Sequence, residues 1–192
     1  MIGPTWTRRA RLPLEWWKTP CAWSRSSTGP ARLQEGTPQR ELVNVNEVIN
    51  EIIALLRYEA ALYGISIRSD LAADVPKVIG DHVQLKQGLM NLMINSMDAM
   101  KESDGVREIT IISRSDDGQL LVSVSDTGVG LPPKTNQIFD AFFTTKPHGT
   151  GMGLAISRTI IESHGGRLSA ASTGARGATF TFTLPAFARA QA

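Results

Sequence analysis

Two glycine clusters constrain this chain more than any other feature: Gly128-Val129-Gly130, and Gly149-Thr150-Gly151-Met152-Gly153. The first follows Ser123-Val124-Ser125-Asp126, which alternates like a strand with one buried face and ends in a carboxylate. The second opens directly into the helical pattern Leu154-Ala155-Ile156. Glycines ahead of a helix let backbone N–H groups approach an anion, and the helix N-terminus adds the positive end of its dipole. The stretch by itself predicts a nucleotide site.

The elements around it fall into an order. Asn46 is the expected N-cap of an amphipathic helix over 46–62, whose Ile49, Ile52, Ile53, Leu56 and Ala60 recur at helical spacing. Gly64 ends it, Ile65–Arg68 alternates as a strand, and 75–80 is a short extended segment leading to a second N-cap, Asp81. The helix that follows, about 81–103, carries Gln84, Gln87, Asn91, Asn95, Asp98 and Glu102 on one polar stripe, with Leu and Met over much of the remaining surface. Such a helix is largely buried, so its asparagines need partners: either neighbouring backbone, or a cation and phosphates.

Strands over Glu108–Arg114 and Leu120–Asp126 are joined by Asp116-Asp117-Gly118. The irregular stretch 127–151 is too long for an ordinary connection and predicts a functional loop or lid, with its phenylalanines packing the root onto the core. A third helix over 152–163 ends at Gly165-Gly166, and strands 167–172 and 178–184 close the domain. Strand pairs with helices between them predict an α/β two-layer sandwich, one mixed sheet with helices on one face.

Residues 1–40 differ. They hold all four tryptophans, half of the prolines and no lasting period, and predict a disordered leader or docking peptide ahead of a domain at 41–187 and a short tail at 188–192. A net charge of +2 gives no case for nucleic acid or a membrane surface, and no apolar run approaches a membrane helix. Cys21 is the sole cysteine, which excludes an intrachain disulfide.

Four motifs in order carry a family resemblance. Asn91-Leu92-Met93-Ile94-Asn95, Asp126–Gly130, Phe139–Lys146 and Gly149–Leu154 resemble the asparagine, first glycine, phenylalanine and second glycine motifs of sensor histidine kinases, over about Leu42 to Pro185. The wider superfamily includes gyrase, mismatch-repair and heat-shock-chaperone ATPases. Phe142-Phe143-Thr144-Thr145-Lys146 and the Gly165-Gly166 pair resemble the nitrogen-regulation and oxygen-sensing type in particular.

The resemblance implies a Bergerat-type sandwich, mainly antiparallel, with about three helices on one face and an ATP lid. It implies ATP and Mg²⁺ as ligands, with Asn95 on the metal and Asn91 on phosphate or metal. Asp126 would accept from the adenine amino group, with Gly128 and Gly130 letting the chain pass close to the base. Thr179 would support Asp126 through a water. Lys146 and the segment Gly149, Thr150, Gly151, Gly153 and Leu154 would hold the phosphates. Asn91, Asn95 and Lys146 are the implied catalytic residues. Hydrolysing relatives carry a glutamate where this chain has Asn91, and an amide is no general base, so slow or absent hydrolysis is expected.

The chain departs from the family in one respect. A complete sensor kinase precedes this domain with two dimerisation helices bearing the phosphoacceptor histidine, and His82, His148 and His164 do not fit that role. His82 is expected on the surface, His148 in the lid within reach of phosphate, and His164 at a helix C-terminus. The expectation is a cytoplasmic, monomeric catalytic domain. It would transfer the ATP γ-phosphate to a histidine on a separate protein and work with a response regulator. The alternative is a nucleotide-binding regulatory module with no phosphotransfer of its own.

Overall fold

The computed structural model describes residues 39–187, without 102, 134, 147, 148, 174 and 175. The tryptophan-rich leader through residue 38, the tail 188–192 and His148 lie outside the described residues.

Alternating apolar residues build a five-stranded sheet. Its strands are β2 (Ser66–Leu71), β4 (Glu108–Asp116), β5 (Gln119–Asp126), β6 (Arg167–Ser172) and β7 (Ala178–Pro185), in the order β2-β4-β5-β7-β6. Every neighbouring pair is antiparallel except β2 with β4, which is parallel. Two short strands, β1 (Glu41–Val43) and β3 (Val78–Gly80), form a separate antiparallel ribbon. One sheet face, with Ile109, Ile111, Leu120, Val122, Val124, Phe180, Phe182 and Leu184, is buried in the core. Each such side chain contributes about 1.5–3 kcal/mol relative to exposure. The opposite face of β5 and β7 carries hydroxyls paired across the strands, Ser123 with Thr181 at 3.1 Å and Ser125 with Thr179 at 2.8 Å.

Three helices supply the other half of the core: α1 (Val45–Leu62), α2 (His82–Met100) and α3 (Gly153–Ser163). The architecture is thus the expected two-layer α/β sandwich with a mixed, mainly antiparallel sheet. Helix α1 is capped by Asn44, whose side chain accepts from the Asn46 N–H, so Asn46 is not the cap. Asn46 instead ties the helix to the sheet. It donates to the Ala72 carbonyl and accepts from the buried Ser113 hydroxyl at 2.7 Å. Asp81 caps α2 as expected, accepting from Val83 and Gln84. Helices α2 and α3 pack closely, and the buried Ser157 hydroxyl donates to the Gly88 carbonyl at 3.0 Å.

His164 ends α3 at a buried position. Its Nδ1–H donates to the Ile160 carbonyl at 2.7 Å, and its Nε2 accepts from the Asp81 N–H at 2.9 Å. It therefore connects the end of α3, where it was expected, to the start of α2. His82 lies at the surface beside Glu51 at 3.4 Å, as expected.

Candidate nucleotide site

The end of β5 and the polar stripe of α2 frame the site. Asp126 is the last residue of β5 and faces the helices, because the core side of that strand takes every second residue from Leu120. It is 4% exposed. Its Oδ1 accepts from the Gly128 N–H at 2.9 Å and the Ala178 N–H at 3.3 Å. No N–H of the described residues reaches Oδ2. Burial raises the Asp126 carboxyl above its ordinary range, against the opposing pull of those two N–H groups, Ser96 and Lys146. The aspartate is thus oriented by backbone while one oxygen remains available to a donor.

Ser96 lies on the α2 side of this carboxylate. Its hydroxyl is fully buried and has no well-formed hydrogen bond, the single such side-chain atom among the described residues. It is near enough to favour the Asp126 charge. A buried hydroxyl left without a partner costs about 1–3 kcal/mol. Orphan hydroxyl and open carboxylate oxygen together suit a ligand edge with both a donor and an acceptor, as adenine has.

Gly128 has a structural reason that its motif does not reveal. A Cβ there would lie 2.6 Å from the Ala99 carbonyl oxygen, so the loop after β5 runs directly against α2. The Val129 N–H donates to that same carbonyl at 3.1 Å. The close approach is therefore to helix backbone.

The phosphate end is built differently. Asn91 donates from Nδ2 to the Gly153 carbonyl at 3.3 Å, tying α2 to the first turn of α3. Asn95 offers Oδ1 to the Lys146 ammonium at 3.0 Å, and Asp98 Oδ2 takes the same ammonium at 3.0 Å. Asp98 Oδ1 meets Lys101 at 2.7 Å. Burial alone would raise the Asp98 carboxyl, but the two lysines hold it below the ordinary range. Met152 caps α3 without a side-chain hydrogen bond, which leaves N–H groups of the first turn for an anion. Thr150 accepts from the Met152 N–H at 3.4 Å, and the Leu154 side chain packs on the core, so each contributes to this end through local geometry.

The lid segment carries a short 3₁₀ turn, Thr135–Phe139. Phe139 and Phe143 pack on the core as expected, but Phe142 does not: it is 76% exposed with φ 69°. It is held by its N–H donating to the Gly151 carbonyl at 3.1 Å. Gly151 itself has φ 66°, and a Cβ there would collide with the Phe142 backbone. Arg158 turns to Glu162 at 2.8 Å and to the Phe139 ring, away from a phosphate role.

One expected residue stands apart. Thr179 lies on the hydroxyl face of the sheet, bonded to Ser125, whereas Asp126 faces the helices beside Ala178. Support of Asp126 comes from the Ala178 backbone, which corrects the assignment of Thr179. Ser96 and Asp98 were not among the expected site residues. Asp98 lies on the visible polar stripe, while Ser96 passes as helix filler in a sequence. Asn95 and Asp98 meet at Lys146, Asn91 ties α2 to α3, and Asp126 lies near enough to Lys146 to feel its charge.

A family model described as histidine kinase-, DNA gyrase B- and HSP90-like ATPase matches residues 80–188. The sensor protein TdiS of Thauera aromatica is 39% identical over 153 residues, covering 78% of this chain and 28% of its own length. This chain therefore spans under a third of that relative. Among solved structures, the nucleotide-free catalytic domain of the histidine kinase ThkA matches with a TM-score of 0.70 and 33% identity, over 77% of this chain and 96% of that one. ThkA in complex with the response regulator protein TrrA matches with a TM-score of 0.64 and 30% identity, over 77% of this chain and 42% of that one.

Proposed function

The chain belongs to the histidine kinase-, DNA gyrase B- and HSP90-like ATPase family, and we propose that it binds ATP with Mg²⁺ and delivers the γ-phosphate to a histidine on another chain. The observation that carries this reading is the Asp126 carboxylate, clamped through Oδ1 and open at Oδ2 beside the unpartnered Ser96 hydroxyl. An acceptor next to a hydroxyl discriminates for an exocyclic amino group, which adenine presents and guanine does not at that edge.

Asn95 Oδ1 is the hard oxygen donor the site offers a divalent cation. No group of three or more His, Cys, Asp or Glu able to hold a metal occurs among the described residues. So sparse a donor set fits Mg²⁺ brought in on phosphates, since that ion keeps most of its shell as water and phosphate oxygens. When bound, the metal would neutralise charge on the β- and γ-phosphates. Lys146 and the free N–H groups of the first turn of α3 would orient the same phosphates. Asn91 spends its amide on Gly153 and cannot act as a base toward water, so the site positions phosphate without activating a hydrolytic nucleophile.

His82 and His164 are engaged with Glu51 and with Asp81 and Ile160, so neither serves as acceptor in our reading. A separate histidine-bearing protein would receive the phosphate, and a response regulator would take it next, as the ThkA–TrrA complex suggests by similarity. No helix among the described residues is long and apolar enough to cross a membrane, and we assign the domain to the cytoplasm. The second reading, a nucleotide-holding regulatory module, follows from the same histidine contacts, because binding needs no acceptor.

Calorimetry with ATP, with and without Mg²⁺, on wild type, Asn95→Ala and Asp126→Ala tests the site. We expect Mg²⁺-dependent binding that both substitutions weaken; a folded wild type that ignores ATP refutes it. Label transfer from γ-labelled ATP to an added histidine-bearing helical hairpin separates kinase from module.

A further inference from the structure

Asn95 and Asp98 share the Lys146 ammonium at 3.0 Å each, and Lys146 belongs to the lid while both partners belong to α2. A divalent cation on Asn95 Oδ1 would face that ammonium across a few ångströms. A divalent cation and an ammonium at that separation repel each other strongly in a partly desolvated site. The metal and Lys146 therefore exclude each other at Asn95, and Lys146 must move for the site to fill.

Asp98 makes this exclusion a built-in contact. Its second oxygen is fixed by Lys101, three residues on along the helix, whose ammonium also lies 4.7 Å from the Tyr63 ring centroid. Asp98 is thereby pre-set with Oδ2 toward the lid. Thr144 shapes the matching side: its hydroxyl accepts from the Lys146 N–H at 3.1 Å, which presents the side chain to α2.

We propose that Asp98 is a positioning residue that latches the lid to α2 through Lys146, and that the triphosphate with its metal must take Lys146 from Asp98. This rests on the ATP reading above. Asp98 then opposes binding: it holds the lid's cation in a place the loaded site needs, and the phosphates recover that cation as their own partner.

The test is Asp98→Asn in the full chain, which keeps the side-chain shape and removes the charge. Without nucleotide, amide exchange of residues 141–146 should accelerate several-fold over wild type. Calorimetry should show Mg²⁺·ATP bound about two- to fivefold more tightly, the worth of one partly exposed ion pair. In a Lys146→Met background, the Asp98→Asn change should alter neither quantity, since the latch is already gone. A merely structural aspartate would instead lower Tm and affinity alike in both backgrounds. Weaker, Mg²⁺-dependent binding in both backgrounds would make Asp98 a metal ligand and overturn the latch. Unchanged lid exchange would overturn it too. If wild type binds no ATP, the nucleotide reading fails, while the exchange comparison still decides the latch.

Discussion

The two ends of the site are held by different means. At the base end, Asp126 is clamped by two backbone N–H groups, on a strand paired on both sides, with α2 backbone against the adjoining loop. At the phosphate end, the contacts are made by side chains: Lys146 to Asn95 and Asp98, Asn91 to Gly153, Thr144 to Lys146. Backbone contacts of the first kind open only if the fold opens. Side-chain contacts of the second kind can be traded for a ligand's. A site that must recognise a constant base and also let a phosphate leave is served by that division.

The largest expected effect lies at the base end. In Asp126→Asn, the amide oxygen still accepts from Gly128 and Ala178, so Nδ2 points where Oδ2 was. A donor then meets the adenine amino donor. Losing a hydrogen bond to a charged group costs about 1.5–3 kcal/mol, so ATP affinity should fall roughly tenfold to a hundredfold. The fold should not suffer. The Asp126 pKa is raised, so its contribution to stability is present below the ordinary carboxylate value and is lost as pH rises through the raised one. At neutral pH the charge is a cost, and removing it should raise Tm. Denaturation at stepped pH should show this gain shrinking as pH falls toward about 4. A lowered Tm at neutral pH would mean that the charge stabilises the base end.

Asp98 titrates with the opposite sign. Its lowered pKa gives a contribution present above the ordinary value and lost as pH falls through the lowered one. The Asp98→Asn protein should therefore differ most from wild type in lid exchange at neutral pH, and converge with it only once pH falls below the ordinary carboxylate range. The two ends thus separate along one pH axis.

Next in size is Gly128→Ala. The new methyl meets the Ala99 carbonyl, which cannot move without bending α2, at a cost of about 1–3 kcal/mol. Thermal unfolding should register it as a Tm lower by several degrees, even without nucleotide. Thr144→Val is the matching change in the lid: it removes the hydrogen bond that shapes the turn at Lys146. Tm should hold within a degree or two, while exchange of the lid amides quickens and ATP affinity rises, by no more than about threefold, as Lys146 is held less firmly toward Asp98. If the lid change cost more stability than the floor change, the division drawn here would be wrong.

Smallest is Ser96→Ala. Deleting a hydroxyl that has no partner should leave the nucleotide-free protein as stable or slightly more so. Binding of ATP should weaken by a few-fold if the base completes that hydroxyl. Equal affinity would confine recognition to Asp126.

Much of the fold was legible in residue order. Helical spacing placed α1, α2 and α3, Asp81 announced the start of α2, and strict alternation gave β4, β5 and β7. These signals are local, set by periods of 3.6 and 2 and by capping chemistry. The four ordered motifs likewise gathered Asn91, Asn95, Asp126 and Lys146 before any coordinates, because each motif is short and contiguous.

What the sequence could not determine depends on partners far along the chain. Whether Asn44 or Asn46 caps α1 turned on Ser113 and Ala72, which draw Asn46 away to the sheet. The β1–β3 ribbon is three residues a side, too short to show a period. Thr179 and Ala178 were indistinguishable as neighbours of Asp126 until strand register fixed their faces, since a shift of one residue exchanges the two sides of a sheet. Local periodicity is written in adjacent residues, so the chain alone determined its helices, strands and motifs. Which hydroxyl stays unpartnered beside Asp126, and which carboxylate takes Lys146, are outcomes of long-range packing, and only the tertiary structure decided them.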